Sequence, residues 1–384
     1  MDYKIISADD HLDLGYLPRD FWTRNMARGY AERAPHVEER DGTALWVCEG
    51  KVWGGWRGDM PGGNKPPDRP VVTALERGGH SDYGQRRPAV PELRLADMDR
   101  DGVHAHVIYG PVFSINADDA DLRDACYTAY NASLREFCHA APDRLLGVPM
   151  LPPAPESAHA ELLRLAKMGG WKQANLQIAE VEPRLHDPRW EPLWQLLEET
   201  GIILSFHVTV FNVPKDDPAF GTPASTFVAT KEFISQFLDP FVDLFAWGIL
   251  ERHPGMRVTM AESGLGWVPW VVQELDTRFG RLYESKSYWD RHGGIPLTIK
   301  PSELFKRQIY ASFQDDPIAI ALLPFMGEGH VMWASDYPHP DSTWPFSQDK
   351  IEAQMADLSP AQRKSLLHDN AVALYGLEVS AANR

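Results

Sequence analysis

The sequence predicts an α/β fold, a (β/α)8 TIM barrel with an insertion after the first strand. Two observations carry that expectation. Short apolar, often β-branched runs alternate with helical stretches along most of the chain, giving about seven or eight βα steps. Polar residues able to bind metal stand directly after several of those runs, which is where a parallel barrel gathers its chemistry. With 384 residues, 43% apolar and 11% aromatic, the chain can bury one such barrel or two smaller domains. Neither an internal repeat nor Pro/Gly density divides it, so it reads as a single domain over 1–384.

The elements follow in order. Ile5-Ile6 starts the first strand. Residues 40–91 then leave the rhythm: "GKVWGGWRGDMPGGNKPPDRP" is too rich in Gly, Pro, Trp and Arg for a barrel unit and reads as a long insertion able to cap a site. Trp53 and Trp56 there, and Trp344 later, are candidate pocket walls, and Arg57, Lys65 and Arg69 are candidate partners for a substrate carboxylate. "HAHVIYG" is a strand ended by Gly110-Pro111. "DLRDACYTAYNASLREFCHAAPDRL" has helical spacing, "LLGVPMLP" is a short buried strand, and "ESAHAELLRLAKMGG" is an amphipathic helix stopped by glycine. The strand "WKQANLQI", the helix "WEPLWQLLEETG", the strand "IILSFHV" and the helical "TKEFISQFLDPFVDLFAWGILERHPG" come next. The strand "MRVTMAES", a helix from Val268 to about Tyr283, and the strands "QIYASF" and "HVMWASD" complete the series.

Composition excludes several function classes. A net charge of −16 with scattered acids opposes nucleic-acid and anionic-membrane partners. The three cysteines, Cys48, Cys126 and Cys138, form neither a disulfide framework nor a cysteine zinc site, and a reducing, cytoplasmic setting is expected. Neither a secretory leader nor a membrane-spanning run is expected.

The strand ends supply the chemistry. Asp9 and His11 end the first strand, His207 ends "IILSFH", Glu262 ends "MRVTMAE" and Asp336 ends "VMWASD". Singly, each is most simply a capping group or a satisfied core histidine. Together, their burial is costly unless a cation sits among them, and imidazole with carboxylate but no thiolate suits zinc, manganese or iron. The alternate positions of Asp9 and His11 put both on one face of an extended strand. Asp10 and Asp13 are expected to face outward or cap a turn, and His104 and His106 to lie in the core or at the opposite end of the strand.

In this order the segments "ISADDHLD", "APDRLLGVPMLP", "EPLWQLLEETGIILSFH", "ERHPGMRVTMAESGLGWVPW", "WASDYPHPDSTWP" and "LLHDNAVALYGL" resemble the amidohydrolase-2 family of metal-dependent amidohydrolases, which includes aminocarboxymuconate-semialdehyde and resorcylate-type decarboxylases. The resemblance implies a distorted (β/α)8 barrel, Asp9, His11, His207 and Asp336 as ligands of a divalent metal, and Asp336 as acceptor of a proton from metal-bound water. It also implies a homo-oligomer, to which the apolar "FISQFLDPFVDLFAWGIL" adds support.

Two departures stand out. Asp9-x-His11 replaces the usual His-x-His, and Glu262 replaces the histidine of decarboxylase-like members. With Glu262 as a further ligand or acid/base, three carboxylates leave room for a second ion. A single ion is nonetheless expected, because "WKQANLQI" ends without a bridging lysine. The leading reading is hydrolysis by metal-activated water of an ester, thioester, amide or activated C–C bond in a small carboxylated or aromatic substrate, with Asp336, Glu262 and His207 in the catalytic machinery. Non-oxidative decarboxylation is the alternative, and an inactive barrel-shaped binding protein the remote one.

Overall fold

A computed structural model of the chain describes residues 3–56, 74–80, 86–112, 115–209, 216–220, 222–282, 291 and 297–378. Arg57, Lys65 and Arg69 lie outside the described residues. The chain forms two compact units: Met1–Pro152 together with Trp333–Arg384, and Pro153–Met332.

In the first unit, strand β1 (Ile5–His11) is buried at all seven positions, acids included. Burial on both faces is the state of a covered parallel strand, and explains why its sequence does not alternate cleanly. An antiparallel meander follows, made of β2 (His36–Arg40), β3 (Thr43–Cys48) and β4 (Lys51–Gly55). Two-residue loops at Asp41-Gly42 and Glu49-Gly50 join these strands, all four residues having φ between 50 and 78°. That pair of left-handed residues matches the twist of a tight hairpin.

The meander carries aromatic weight inward. Trp22 stands edge-on to Trp46 and Trp53, and the indole N–H groups of Trp46 and Trp56 donate to the carbonyls of Leu14 and Leu17 at 2.8 and 2.9 Å. Trp53, Trp56 and Trp344, expected as pocket walls, are core residues exposed by 3%, 4% and 1%. Burying each one's large apolar area outweighs any preference for a loop position.

Strands β5 (Val103–Tyr109) and β6 (Leu145–Gly147) extend β1 into a parallel sheet ordered β1-β5-β6, with His11 opposite Tyr109. The register shifts between Ser7 and Asp10, a local irregularity of the kind that re-aims side chains. Helix Pro91–Asp101 precedes β5 and stops at Gly102, whose φ of 72° ends the helix at no steric cost. Helix Ala120–Cys138 starts at Asp119, whose carboxylate accepts the Leu122 N–H at 3.0 Å. Its Asn131 clasps β7 (Met150–Leu151) through two 2.8 Å bonds to the Met150 backbone.

The second unit holds β8 (Gln173–Leu176), β9 (Ile203–His207), β10 (Val258–Ala261) and β11 (Ile309–Phe313), parallel and side by side in that order. Helix Glu191–Thr200 buries Leu193, Trp194, Leu196 and Leu197 and ends at Gly201, φ 68°. Each such side chain contributes about 1.5–3 kcal/mol relative to exposure. β12 (Val331–Trp333) begins here, and its last residue opens the return to the first unit.

That return segment lies beside β1. The Asp336 N–H donates to the Asp9 carbonyl at 2.9 Å, and the His11 N–H to the Tyr337 carbonyl at 2.7 Å. No helix among the described residues is long and apolar enough to cross a membrane.

At the other end of β1 and β5, a cavity of about 350 Å³ is lined by Lys4, Asp99, His104, Arg144 and Gln348 among others. Burial, reinforced by Lys4 and Arg144, pushes the His104 imidazole from 6.5 down to about 4. As pH falls from 6.5 to 4, the unfolded chain takes up this proton before the folded one, so His104 removes stability across that window. His104→Gln is expected to lessen the pH dependence of the unfolding free energy there, by up to one proton. Denaturant titrations at several pH values check this, and an unchanged slope contradicts it.

Candidate metal centre

The first unit brings Asp9, His11 and Asp336 together. Asp9 is 2% exposed, His11 fully buried and Asp336 1% exposed. The His11 Nδ1 lies 3.2 Å from the Gly110 carbonyl oxygen, which can only accept, so Nδ1 carries a proton and Nε2 is the atom turned toward the acids. Nε2 is 3.5 Å from Asp9 Oδ1 and 3.3 Å from Asp336 Oδ1.

Asp336 sits at φ 59°. Five described non-glycine residues have positive φ: Asp41 and Glu49 belong to hairpin turns, Arg86 precedes a short helix, and the others are Glu262 and Asp336. Left-handed backbone outside a turn is costly and concentrates at functional sites. Burial alone would raise the Asp336 carboxyl, but the His339 and His11 imidazoles outweigh it and hold it well below the ordinary carboxylate range.

His339 was not among the expected site residues. Its Nδ1 is 2.8 Å from Asp336 Oδ1, its Nε2 is 3.1 Å from Asp13 Oδ2, and its ring stacks on His11 at 4.0 Å. Burial disfavours the charged ring, yet Asp336 and Asp13 raise it well above 6.5. With a carboxylate at each nitrogen, His339 donates twice and is an imidazolium. The signal was present in "SDYPH", where Asp336 and His339 are three residues apart.

Asp10 and Asp13 correct the sequence reading, since both are buried and neither faces outward. Asp13 holds His339. Asp10 accepts from Ser335 Oγ at 2.5 Å and from the Tyr337 N–H at 3.1 Å. His104 and His106 stay apart from the site: His106 is buried against Arg94, at 3.1 Å.

The second unit brings His207 and Glu262 together. His207 ends β9 opposite Ala261, so Glu262, at φ 50°, is the next residue along the neighbouring strand end. The His207 Nδ1 lies 2.6 Å from the Val208 carbonyl, and its Nε2 lies 3.6 Å from Glu262 Oε2. Each unit thus contains one imidazole anchored at Nδ1 by a backbone carbonyl, with Nε2 turned toward carboxylate oxygen. Metal-ligating histidines are oriented this way. The donor chemistry, imidazole and carboxylate without thiolate, fits a borderline-to-hard divalent ion.

A family model described as Amidohydrolase (Amidohydro_2) matches residues 75–377. The gamma-resorcylate decarboxylase of Rhodococcus jostii (strain RHA1) is 24% identical over 311 residues, covering 75% of this chain and 88% of that protein. An amidohydrolase from Mycobacterium avium subsp. paratuberculosis K-10 superposes with a TM-score of 0.73 at 18% identity, over 98% of this chain and 100% of that one. The 5-carboxyvanillate decarboxylase of Novosphingobium aromaticivorans DSM 12444, solved with manganese and 4-hydroxy-3-methoxy-5-nitrobenzoic acid, gives 0.64 at 17% identity, over 98% and 96%. The expected fold class, parallel α/β of the amidohydrolase barrel type, is thereby shown. The described strands hydrogen-bond in separate sheets, not in one closed ring.

The backbone at Glu262 yields a prediction independent of metal. An alanine at φ 50° meets the Cβ strain that glycine escapes. Glu262→Gly is therefore expected to be more stable than Glu262→Ala by about 1 kcal/mol in denaturant unfolding. The reverse order would show that the left-handed conformation is not held in solution.

Proposed function

Because the chain belongs to the Amidohydro_2 family of amidohydrolases, we propose that it is a metal-dependent carboxy-lyase, releasing carbon dioxide without oxidation from a hydroxy-substituted aromatic acid. One observation carries this reading: a relative matching 75% of the chain is a gamma-resorcylate decarboxylase. A solved decarboxylase of the same fold, holding manganese and 4-hydroxy-3-methoxy-5-nitrobenzoic acid, agrees with it. The hydrolysis expected from the sequence takes second place, its support being confined to the broader superfamily.

In this proposal the ligands expected from the sequence, Asp9, His11, His207 and Asp336, would hold one divalent ion (manganese, zinc or iron), with Glu262 as a further ligand or acid/base. Such an ion would supply Lewis acidity toward the substrate. The ring-to-carboxylate bond breaks, its electron pair stays on the ring carbon, carbon dioxide leaves, and that carbon takes a proton. The Asp336–His339 pair, joined at 2.8 Å, can deliver this proton, while Asp13 holds the far side of the imidazole. Hydrolysis keeps one specific argument: Glu262 is a carboxylate where decarboxylase-like members resemble one another in carrying histidine.

Screening the metal-loaded protein against hydroxybenzoates for carbon dioxide, and against esters and amides for released acid, separates the two reactions. Carbon dioxide release is expected to dominate, and efficient hydrolysis without it overturns the proposal. His207→Ala and Asp336→Ala are each expected to lose bound metal and activity while keeping the fold, as read by metal analysis and circular dichroism. A fully active, metal-replete Asp336→Ala protein would contradict the ligand set. Glu262→Gln is expected to lower turnover by about 100-fold if this carboxylate handles a proton. Near-native turnover removes it from the mechanism.

A homo-oligomer is part of the same proposal. In the helix Glu232–Ala246, Phe237, Phe241, Leu244 and Phe245 are core residues, whereas Trp270, Ile318 and Phe325 of the second unit expose apolar surface, 66%, 59% and 66%. Light scattering at micromolar concentration is expected to give a mass of two or more chains, and a monomer refutes this part.

A further inference from the structure

We infer that Arg94 is a positioning residue for the metal ligands of the first unit, acting through a buried hydrogen-bond network that Asp10 completes. The inference rests on the metal-centre reading above and extends it to residues that touch neither metal nor substrate.

Arg94 belongs to the helix Pro91–Asp101 and is fully buried. One end of its guanidinium donates to the His11 carbonyl at 2.7 Å and to the Pro88 carbonyl at 3.3 Å, and the other lies 3.1 Å from His106 Nδ1. Its plane covers the Tyr337 ring at 5.1 Å. A single side chain from the helix therefore grips the residue that supplies the imidazole and the residue that follows Asp336.

Asp10, also fully buried, completes the network from β1. It accepts from Ser335 Oγ and the Tyr337 N–H, the two neighbours of Asp336, at 2.5 and 3.1 Å. Tyr337 is tied further by its hydroxyl to Asp97 Oδ2 at 2.7 Å, and Arg87 grips that carboxylate at 2.6 Å. Residues 9–11 and 335–337 are thus tied to one another through Arg94, Asp10 and Tyr337.

A buried guanidinium confers little net stability compared with apolar packing. What Arg94 supplies is direction, because planar, multi-donor arginine fixes several acceptors at once where lysine fixes one. Groups that orient metal ligands from behind typically change metal affinity 10–100-fold when removed.

The test uses the full chain and manganese alone, with affinity measured by calorimetric titration and stability by thermal unfolding. Arg94→Met is expected to weaken manganese binding by about 10–100-fold, with Arg94→Lys recovering part of the loss through the His11 carbonyl. Leu134→Ala, a core change in the helix Ala120–Cys138, is expected to lower the melting temperature while leaving affinity intact. Arg94→Met that folds and binds manganese as the unmodified chain does overturns the inference, and so does an equal loss of affinity in Leu134→Ala. Should Arg94→Met fail to fold, Ser335→Ala removes one bond to Asp10 from the other side, and unchanged affinity there is equally fatal. Failure of the unmodified chain to bind any divalent ion overturns the metal reading itself and this inference with it.

Discussion

Buried negative charge at the end of β1 is the constraint that organises the first unit. Asp9, Asp10 and Asp13 lie within a short stretch of backbone, Asp336 is hydrogen-bonded beside them, and all four are shielded from water. Carboxylates in such a place must either take up protons or find cations. The chain answers with two positive partners of different geometry. Arg94 donates to the His11 carbonyl and the His339 imidazolium sits between two acids, while His11 turns its Nε2 toward Asp9 and Asp336. The direction of each side chain follows from which charge it must meet.

Backbone pairing depends on the same arrangement. Two backbone bonds around the acids, at 2.9 and 2.7 Å, join the segment after β12 to β1. Ser335 adds two more contacts, its N–H donating to Ser7 Oγ and its hydroxyl to Asp10. A segment with so little ladder would fray if the charges pulled in other directions, and the left-handed turn at Asp336 could not persist without these neighbours.

Much of this was legible in the sequence. The alternation of strands and helices and the ordered strand-end motifs identified fold class and family, because a parallel barrel repeats one pattern many times and each repeat reinforces the reading. Asp9, His11, His207, Glu262 and Asp336 stood out as polar residues closing apolar runs. Asp10, Asp13 and His339 did not, since their roles depend on partners far along the chain: Asp10 meets Ser335, and Asp13 meets His339. The burial of Trp53, Trp56 and Trp344 was hidden for a related reason, as glycine- and proline-rich surroundings describe local backbone and say nothing of what an indole packs against. The reaction was least legible, because the same ligands serve hydrolysis and carboxylate removal.

The first unit is discontinuous, built from Met1–Pro152 and Trp333–Arg384. The second unit therefore lies in the chain between the two parts of the first, and domains tend to fold as units as they emerge. Asp9 and His11 leave the ribosome some three hundred residues before Asp336 and His339. Arg94 reaches the early strand soon after it is made, whereas the imidazolium partner of Asp13 arrives only with the segment after Trp333. A chain broken off before Trp333 would keep the grip on the His11 carbonyl and lack the partner of Asp13.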